Sequence, residues 1–172
     1  MNALIVDYFG TIANPPKVDG LLGPLATKGG FGGIYDEGAK KALEMMIQGD
    51  KRVITAVRDT FYPDVARLFE TAQRAGLDTG VYSRGHGPFI IKGLRLLGVK
   101  TKFVDPDEIG DKNEPGSYRN IREKGGYQTI IFATDSGTEA RAAMDGGIDH
   151  VVLVYIGGPD YSILFDLIKG IP

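Results

Sequence analysis

Five short apolar segments recur along the chain and predict buried β-strands. They lack polar alternation, are rich in Val, Ile, Phe and Tyr, and each ends near a small or polar residue. A run that is apolar at consecutive positions is typical of a strand covered on both faces. The segments are residues 3–6, 79–82, 102–104, 129–133 and 151–156.

Between these segments, the apolar residues follow the period of an amphipathic helix. One face of residues 64–75 carries Val65, Leu68, Phe69 and Ala72, and Gly76 is a suitable C-terminal stop. Residues 89–97 and 138–144 have similar patterns, and residues 117–124 have a weaker one. Because strands and helices alternate from Asp64 onward, the pattern predicts an α/β fold with a doubly wound parallel sheet.

Residues 14–62 interrupt this alternation. They begin with a proline pair and the glycine-rich stretch "GPLATKGGFGGIYDEG", followed by helical patterns over residues 36–48 and 53–60. A connection of roughly 50 residues far exceeds the usual 2–6. Two interpretations are open: a small helical cap over the active-site edge, or an elaborated connection without a separate role. The predicted organisation is therefore a core of residues 1–13 and 63–172 with an insert at 14–62.

The glycine-rich stretch favours a flexible loop over a phosphate cradle. No predicted strand leads directly into its glycines, and no Lys-Ser or Lys-Thr pair follows them. A phosphate-binding loop of this kind follows a strand and ends in such a pair, because its backbone amides and its lysine both bind the phosphates.

Composition narrows the functional classes. A chain of 172 residues with a net charge of -2 predicts one domain with no general attraction to nucleic acid or to an anionic membrane. No apolar stretch approaches the roughly 20 residues of a membrane span, and no signal-peptide pattern opens the chain. The absence of cysteine excludes disulfides and thiolate metal sites. A cytoplasmic protein is expected, and no pattern indicates an oligomeric state.

Polar residues at the predicted strand ends carry the candidate chemistry. Asp7 follows the first strand, Ser83 the second and Asp135 a later one, while Lys112 precedes the helix that leads to that later strand. Ligands of open α/β sheets bind beyond the carboxyl ends of the strands, so these four groups should converge. Each has a local alternative, since a strand-end Asp is often a helix N-cap and Ser83 could cap the helix near Phe89.

The order of these residues resembles the haloacid dehalogenase (HAD) superfamily, most of whose members are magnesium-dependent phosphatases. Its first motif reads "ALIVDYFGTI" here; Ser83 and Lys112 match the second and third, and "FATDSGTEA" matches the acidic fourth. The stretches "DKNEPGSYRNI" and "IIFATDSGTEARAA" look most similar to the enolase-phosphatase branch. The resemblance implies a HAD-like Rossmannoid core acting on a phosphorylated small molecule.

Physical chemistry gives each residue a role. The Asp7 carboxylate can attack phosphorus and form an acyl phosphate, and a divalent cation is needed to bring the two anions together. Mg²⁺ is expected on the carboxylates of Asp7 and Asp135, and the resemblance adds the Phe9 carbonyl oxygen. Ser83 would donate a hydrogen bond to a phosphoryl oxygen, and Lys112 would balance the negative charge.

Several neighbouring residues are further candidates. The amides of the turn near Gly10 and the Thr11 hydroxyl could hold another phosphoryl oxygen. Anions are favoured at a helix start, so the residues that follow Ser83 are candidate substrate contacts. Glu139 either orders a metal-bound water or only occupies the first turn of a helix. The substrate-binding candidates are Gly10, Thr11, Arg84, Gly85 and His86, and the outer candidates are Ser136 and Glu139.

Phe9 departs from the phosphatase pattern. The residue two places after the nucleophile is usually acidic in these phosphatases, where it protonates the leaving group and then activates water; Phe9 can do neither. Haloacid dehalogenases have an aromatic residue at this place, so a 2-haloacid dehalogenase is an alternative, although "ATDSGTEA" keeps the acidic fourth motif that they lack. A weakly catalytic or non-catalytic phosphate-binding protein is the other alternative.

Overall fold

The computed structural model describes residues 1–171 and contains one sheet of five parallel strands. The strands are β1 (Asn2–Val6), β2 (Asp78–Tyr82), β3 (Lys102–Val104), β4 (Thr129–Thr134) and β5 (His150–Leu153). Their spatial order is β3-β2-β1-β4-β5. The chain moves outward from β1 first to one side and then to the other, so the predicted doubly wound sheet is confirmed and its order reverses beside β1.

The helices occupy both faces of the sheet. They are α1 (Pro15–Leu22), α2 (Gly30–Gly32), α3 (Ala39–Ile47), α4 (Lys51–Thr60), α5 (Val65–Arg74), α6 (Gly87–Leu96), α7 (Pro106–Ile109), α8 (Pro115–Gly125), α9 (Gly137–Asp145) and α10 (Ser162–Gly170). The sequence pattern misses α1, α2, α7 and α10. None of the helices found in residues 1–171 is long and apolar enough to cross a membrane.

The last strand is shorter than its apolar run. Residues 151–156 are apolar, but β5 ends at Leu153. Val154 still donates its amide to Thr134 O at 2.9 Å, whereas Tyr155 and Ile156 are exposed. An apolar residue predicts a strand only where a neighbouring strand can accept its hydrogen bonds, and β4 ends here.

Alternation along β1 separates two hydrophobic clusters. Leu4 and Val6 belong to one cluster, and Ala3 and Ile5 belong to the other. Successive side chains of a strand point to opposite faces of its sheet, and all four of these are buried. This two-sided burial explains why β1 is apolar at consecutive positions.

The two ends of the insert at 14–62 lie together next to the turn after β1, and the insert packs into the larger cluster. The Asn14 amide donates to Thr60 O at 2.7 Å, and the Tyr62 amide donates to Ile12 O at 3.0 Å. Leu22 and Val57 of the insert lie in the same cluster as Leu4 and Val6 of β1. The insert therefore shares the core of the sheet domain, and its role as a cap stays a prediction.

The glycine-rich stretch is helical, so the expected flexible loop is wrong. It contains a 3-10 turn (Gly23–Leu25), the short α2 and a π-helix (Gly33–Gly38). A Cβ at Gly33 would lie 1.9 Å from Lys28 O, and one at Gly38 would lie 2.5 Å from Leu22 O. These glycines permit close packing of the backbone, which the sequence alone does not distinguish from flexibility.

Candidate active site

The sheet register places the strand-end residues side by side. Val6 is paired with Val81 on one side and with Ala133 on the other. Asp7 continues this register, since its amide donates to Ala133 O at 2.8 Å. Ser83 lies two residues after Val81, and Asp135 lies two residues after Ala133. The side chains of Asp7, Ser83 and Asp135 therefore lie at one edge of the sheet.

Lys112 is buried between two carboxylates. Its Nζ donates to Asp7 Oδ1 at 2.5 Å and lies 2.8 Å from Glu139 Oε2, and only 2% of the lysine is exposed. The Tyr118 hydroxyl donates to Lys112 O at 2.9 Å, and the Lys112 ammonium lies 5.6 Å from the centroid of the Tyr82 ring. These contacts hold the ammonium in one place.

Glu139 has a contact that the sequence analysis did not anticipate. It lies in the first turn of α9 as one alternative stated, but its carboxylate also pairs with Lys112 and accepts a 2.9 Å hydrogen bond from Thr134 Oγ1. Ser136 caps α9 by accepting the Glu139 amide at 3.3 Å. Glu139 is therefore placed to position Lys112, and Ser136 to start the helix that carries Glu139.

Asp135 lies over the turn that follows β1. Gly10 has φ +75°, and a Cβ there would lie 2.1 Å from Asp135 Oδ2. The carboxylate occupies the space that any other side chain would need. Glycine at position 10 therefore serves both the backbone turn and the approach of Asp135.

The centre carries excess negative charge. When ionised, the carboxylates of Asp7, Asp135 and Glu139 outnumber the single ammonium of Lys112 and leave two negative charges. Burial raises the pKa of Asp7 above its usual range, against the opposing effect of Lys112. Burial also raises the pKa of Asp135. A buried excess of negative charge is costly without a cation.

A magnesium ion fits these donors. No group of three or more acidic or histidine side chains forms a metal cluster within residues 1–171. Mg²⁺, however, keeps several waters and is commonly bound through only one or two carboxylates. Asp7 and Asp135 supply two carboxylates. The main-chain hydrogen bonds of the turn end on the Tyr8 and Ala13 carbonyls, and within residues 1–171 no main-chain amide donates to the Phe9 carbonyl.

Two hydroxyls near the strand ends are available to a ligand. Ser83 is fully buried, and its Oγ accepts the Gly85 amide at 3.1 Å, which leaves its own proton for another acceptor. Thr11 Oγ1 is buried and has no hydrogen-bond partner in the described part of the chain. Ser83 does not cap the next helix, because the N-cap of α6 is His86.

Arg84, Gly85 and His86 lie in the loop after β2 and line a cleft beside this centre. Arg84 pairs with Asp111 at 2.7 Å, so its charge is already compensated. The Phe89 amide donates to His86 Nδ1 at 3.3 Å, and burial lowers the pKa of His86 with Asp36 only partly opposing it. A Cβ at Gly85 would lie 3.1 Å from the Phe9 ring.

The cleft, of about 680 Å³, has walls that the motif analysis did not identify. Phe31 and Tyr35 of the insert and Phe103 of β3 line it together with the loop after β2. Phe9 stands behind this wall, with its ring centroid 4.4 Å from that of Tyr35. The segment "GGFGGIYDEG" shows two aromatic residues four positions apart, which is the only signal that the sequence offers for this wall.

Comparison with known proteins identifies relatives of the chain, although no family model matches it. The chain is 30% identical to enolase-phosphatase E1 of Drosophila ananassae over 160 residues, 86% of this chain and 62% of that protein. It is 32% identical to enolase-phosphatase E1 of Marinobacter nauticus over 132 residues, 70% of this chain and 56% of that protein. The chain thus spans about three fifths of the length of these relatives.

Solved structures show the same fold at low sequence identity. The structure of an L-2-haloacid dehalogenase aligns with a TM-score of 0.63 and 15% identity over 99% of both chains. At this identity, the alignment supports the fold and carries no activity across.

Proposed function

The chain belongs to the haloacid dehalogenase superfamily, and from this we propose that it is a magnesium-dependent phosphatase or phosphotransferase of small molecules. The carrying observation is the buried contact of Asp7 with Lys112, which itself is held by Glu139. A nucleophilic carboxylate needs a neighbouring cation to approach a phosphate dianion. The resemblance to enolase-phosphatases supports phosphate esters as the substrates.

The proposed reaction has two displacements at phosphorus. An Asp7 carboxylate oxygen attacks phosphorus, and the bond between phosphorus and the leaving-group oxygen breaks, with its electron pair passing to that oxygen. Water then attacks the aspartyl phosphate, the bond between phosphorus and the Asp7 oxygen breaks, and inorganic phosphate and the free carboxylate result. An acceptor alcohol in place of water gives phosphotransfer.

Each surrounding residue contributes to these steps through its own atoms. Lys112 orients Asp7 through Oδ1 and balances charge at the phosphoryl group, while the Ser83 hydroxyl donates a hydrogen bond to a phosphoryl oxygen. Asp7, Asp135 and the Phe9 carbonyl would hold Mg²⁺, which when bound would neutralise part of the negative charge between nucleophile and phosphate. Phe9 supplies no proton, so the leaving group departs without an acid from that position.

A test of this proposal replaces the nucleophile. Asp7→Asn should lower hydrolysis of 4-nitrophenyl phosphate by at least about 10³-fold, because an amide does not form the acyl phosphate. Asp166→Asn, which removes a carboxylate exposed on α10, is the matched control and should retain activity. Circular dichroism checks that both variants fold.

Metal dependence and halide release complete the test. Chelation should abolish hydrolysis, and added Mg²⁺ should restore it. Near-normal activity of Asp7→Asn would overturn the covalent mechanism. Metal-independent chloride release from 2-chloropropionate would instead favour the dehalogenase alternative, which the aromatic residue at position 9 supports.

A further inference from the structure

Four aromatic rings connect the nucleophile's neighbour to the cleft. Tyr8 and Phe9 meet edge to face at 4.8 Å between centroids, Phe9 and Tyr35 lie at 4.4 Å, and Tyr35 and Phe31 lie at 4.9 Å. Tyr8 is fully buried, whereas 51% of Phe31 is exposed. The aromatic ladder, defined as these four residues, thus ends in a ring with a free face at the cleft.

The ladder is held by a hydrogen bond at Tyr35 as well as by the burial of Tyr8. The Tyr35 hydroxyl donates to the Asp19 carboxylate on α1, which orients the ring against Phe9. Phe103 adds a ring from β3 to the same cleft. A ligand with a flat apolar group would find aromatic surfaces from two separate elements here, and aromatic groups prefer such edge-to-face or offset contacts.

Phe9 also limits which leaving groups can depart. A positioned general acid contributes about 10²- to 10⁴-fold to a reaction of this type, and Phe9 cannot act as one. A leaving group that is stable as an anion needs this help least. Phenolates meet that requirement, while alkoxides do not.

We infer that the substrates are phosphate monoesters of phenols, with the aromatic ring of the leaving group bound in the cleft against Phe31. This inference rests on the proposed function and adds the substrate class to it. In the first step, the bond between phosphorus and the phenolic oxygen breaks, the phenolate leaves with the electron pair, and it takes a proton from water. Phe31 and Tyr35 are the specificity-determining residues.

The charge of the cleft restricts the ring further. Four aspartates and one arginine line it, so a ring with an additional carboxylate should bind poorly. These residues are Asp36, Asp105, Asp107, Asp111 and Arg84. The favoured substrate is therefore an aryl phosphate whose ring is neutral or positively charged.

Three substrates separate ring binding from leaving-group stability, and a fourth tests the charge. Phenyl phosphate has the ring and a stable leaving group, benzyl phosphate has the ring on an alkoxide, and acetyl phosphate has a stable leaving group without a ring. With Mg²⁺, kcat for phenyl phosphate should exceed that for benzyl phosphate by at least about 100-fold. 4-Carboxyphenyl phosphate should show a higher KM than phenyl phosphate.

Variants of the ladder test the contact itself. Phe31→Ala should raise KM for phenyl phosphate about 3- to 10-fold with kcat unchanged, since the ring contact is made before and during the reaction. The same variant should leave acetyl phosphate kinetics unchanged, and Phe31→Tyr should retain the wild-type KM. Ile47→Ala is the matched control, because it removes another exposed apolar side chain of the insert.

The outcomes distinguish failure of the phenyl phosphate inference from failure of the proposed phosphatase function. Acetyl phosphate hydrolysis with no preference for phenyl over benzyl phosphate would overturn the phenol inference and leave the phosphatase proposal intact. An unchanged KM in Phe31→Ala, or an equal change in Ile47→Ala, would overturn the aromatic binding site. Failure to hydrolyse any of the four substrates with Mg²⁺ would overturn the proposed function itself.

Discussion

At the scale of single residues, Phe9 separates this chain from the phosphatase pattern that it otherwise follows. Its main-chain carbonyl accepts no main-chain hydrogen bond within residues 1–171, so it stays a candidate metal ligand. Its side chain contacts Tyr8 and Tyr35 and lies close to the Gly85 backbone. The Phe9 side chain therefore packs against the insert and cannot transfer a proton.

Restoring an acid at this position should increase turnover of poor leaving groups. Phe9→Asp is expected to raise kcat for benzyl phosphate about 10- to 100-fold relative to Phe9→Asn, because only aspartate can transfer a proton. Both variants lose the aromatic contacts and should be destabilised by roughly 1–3 kcal/mol. Steady-state kinetics with Mg²⁺ and urea unfolding measure the two effects.

The comparison of the two variants makes this prediction specific. Asparagine matches aspartate in size, so the loss of the ring cancels between them. Equal turnover of Phe9→Asp and Phe9→Asn would show that proton transfer is not what limits the reaction.

At the scale of elements, the turn after β1 organises the acidic side of the site. Its left-handed glycine allows the chain to return towards Ala13, whose carbonyl accepts the Gly10 amide at 2.9 Å. The same glycine leaves space for the Asp135 carboxylate, which arrives from the end of β4. One residue thus couples the local turn to a partner distant in sequence.

Gly10→Ala should lower both the activity and the stability of the protein. The left-handed conformation costs an alanine about 1–2 kcal/mol, and the new Cβ would also displace the Asp135 carboxylate. We expect activity to fall by at least about 10²-fold, comparable to the loss of an electrostatic group. Phosphatase assays across a Mg²⁺ titration and thermal unfolding provide the measurements.

Gly49→Ala is the matched control for this turn. Gly49 has φ +81° and no atom within 4 Å of an added Cβ, so it incurs the backbone strain without a clash. Similar activity losses in both variants would show that the position of Asp135 is not the cause.

At the scale of the whole molecule, the insert and the sheet domain share one core. Val57 of α4 is fully buried and lies in the cluster that contains Leu4 and Val6 of β1. A cap that folded separately would have its own cluster. We therefore propose that residues 14–62 cover the cleft as a fixed wall that unfolds together with the sheet.

Val57→Ala tests this shared core. The substitution should lower the free energy of unfolding by about 2 kcal/mol through lost burial and a cavity. Native-state hydrogen exchange should show the same decrease for amides of α4 and of β1, because both exchange through global unfolding. A decrease confined to α4 would identify the insert as an independently opening unit.

The sequence pattern predicts all five strands, six of the α-helices and the order of the candidate residues. Burial on both faces makes a parallel strand apolar at consecutive positions. Candidate site residues such as Asp7 and Ser83 directly follow the end of such a run. These signals are local, so they are readable without a structure. The apolar run at 151–156 extends beyond the end of β5, because strand length depends on the neighbouring strand as well as on hydropathy.

Other contacts between distant side chains are visible only in the tertiary structure. The ion pair between Lys112 and Glu139 and the tilted ring contact between Phe9 and Tyr35 join segments that no sequence period connects. The glycines at 33 and 38 likewise acquire their role from carbonyls that pack against them. Such contacts depend on how helices pack around the sheet, and hydropathy patterns specify which face of an element is buried without specifying its neighbours.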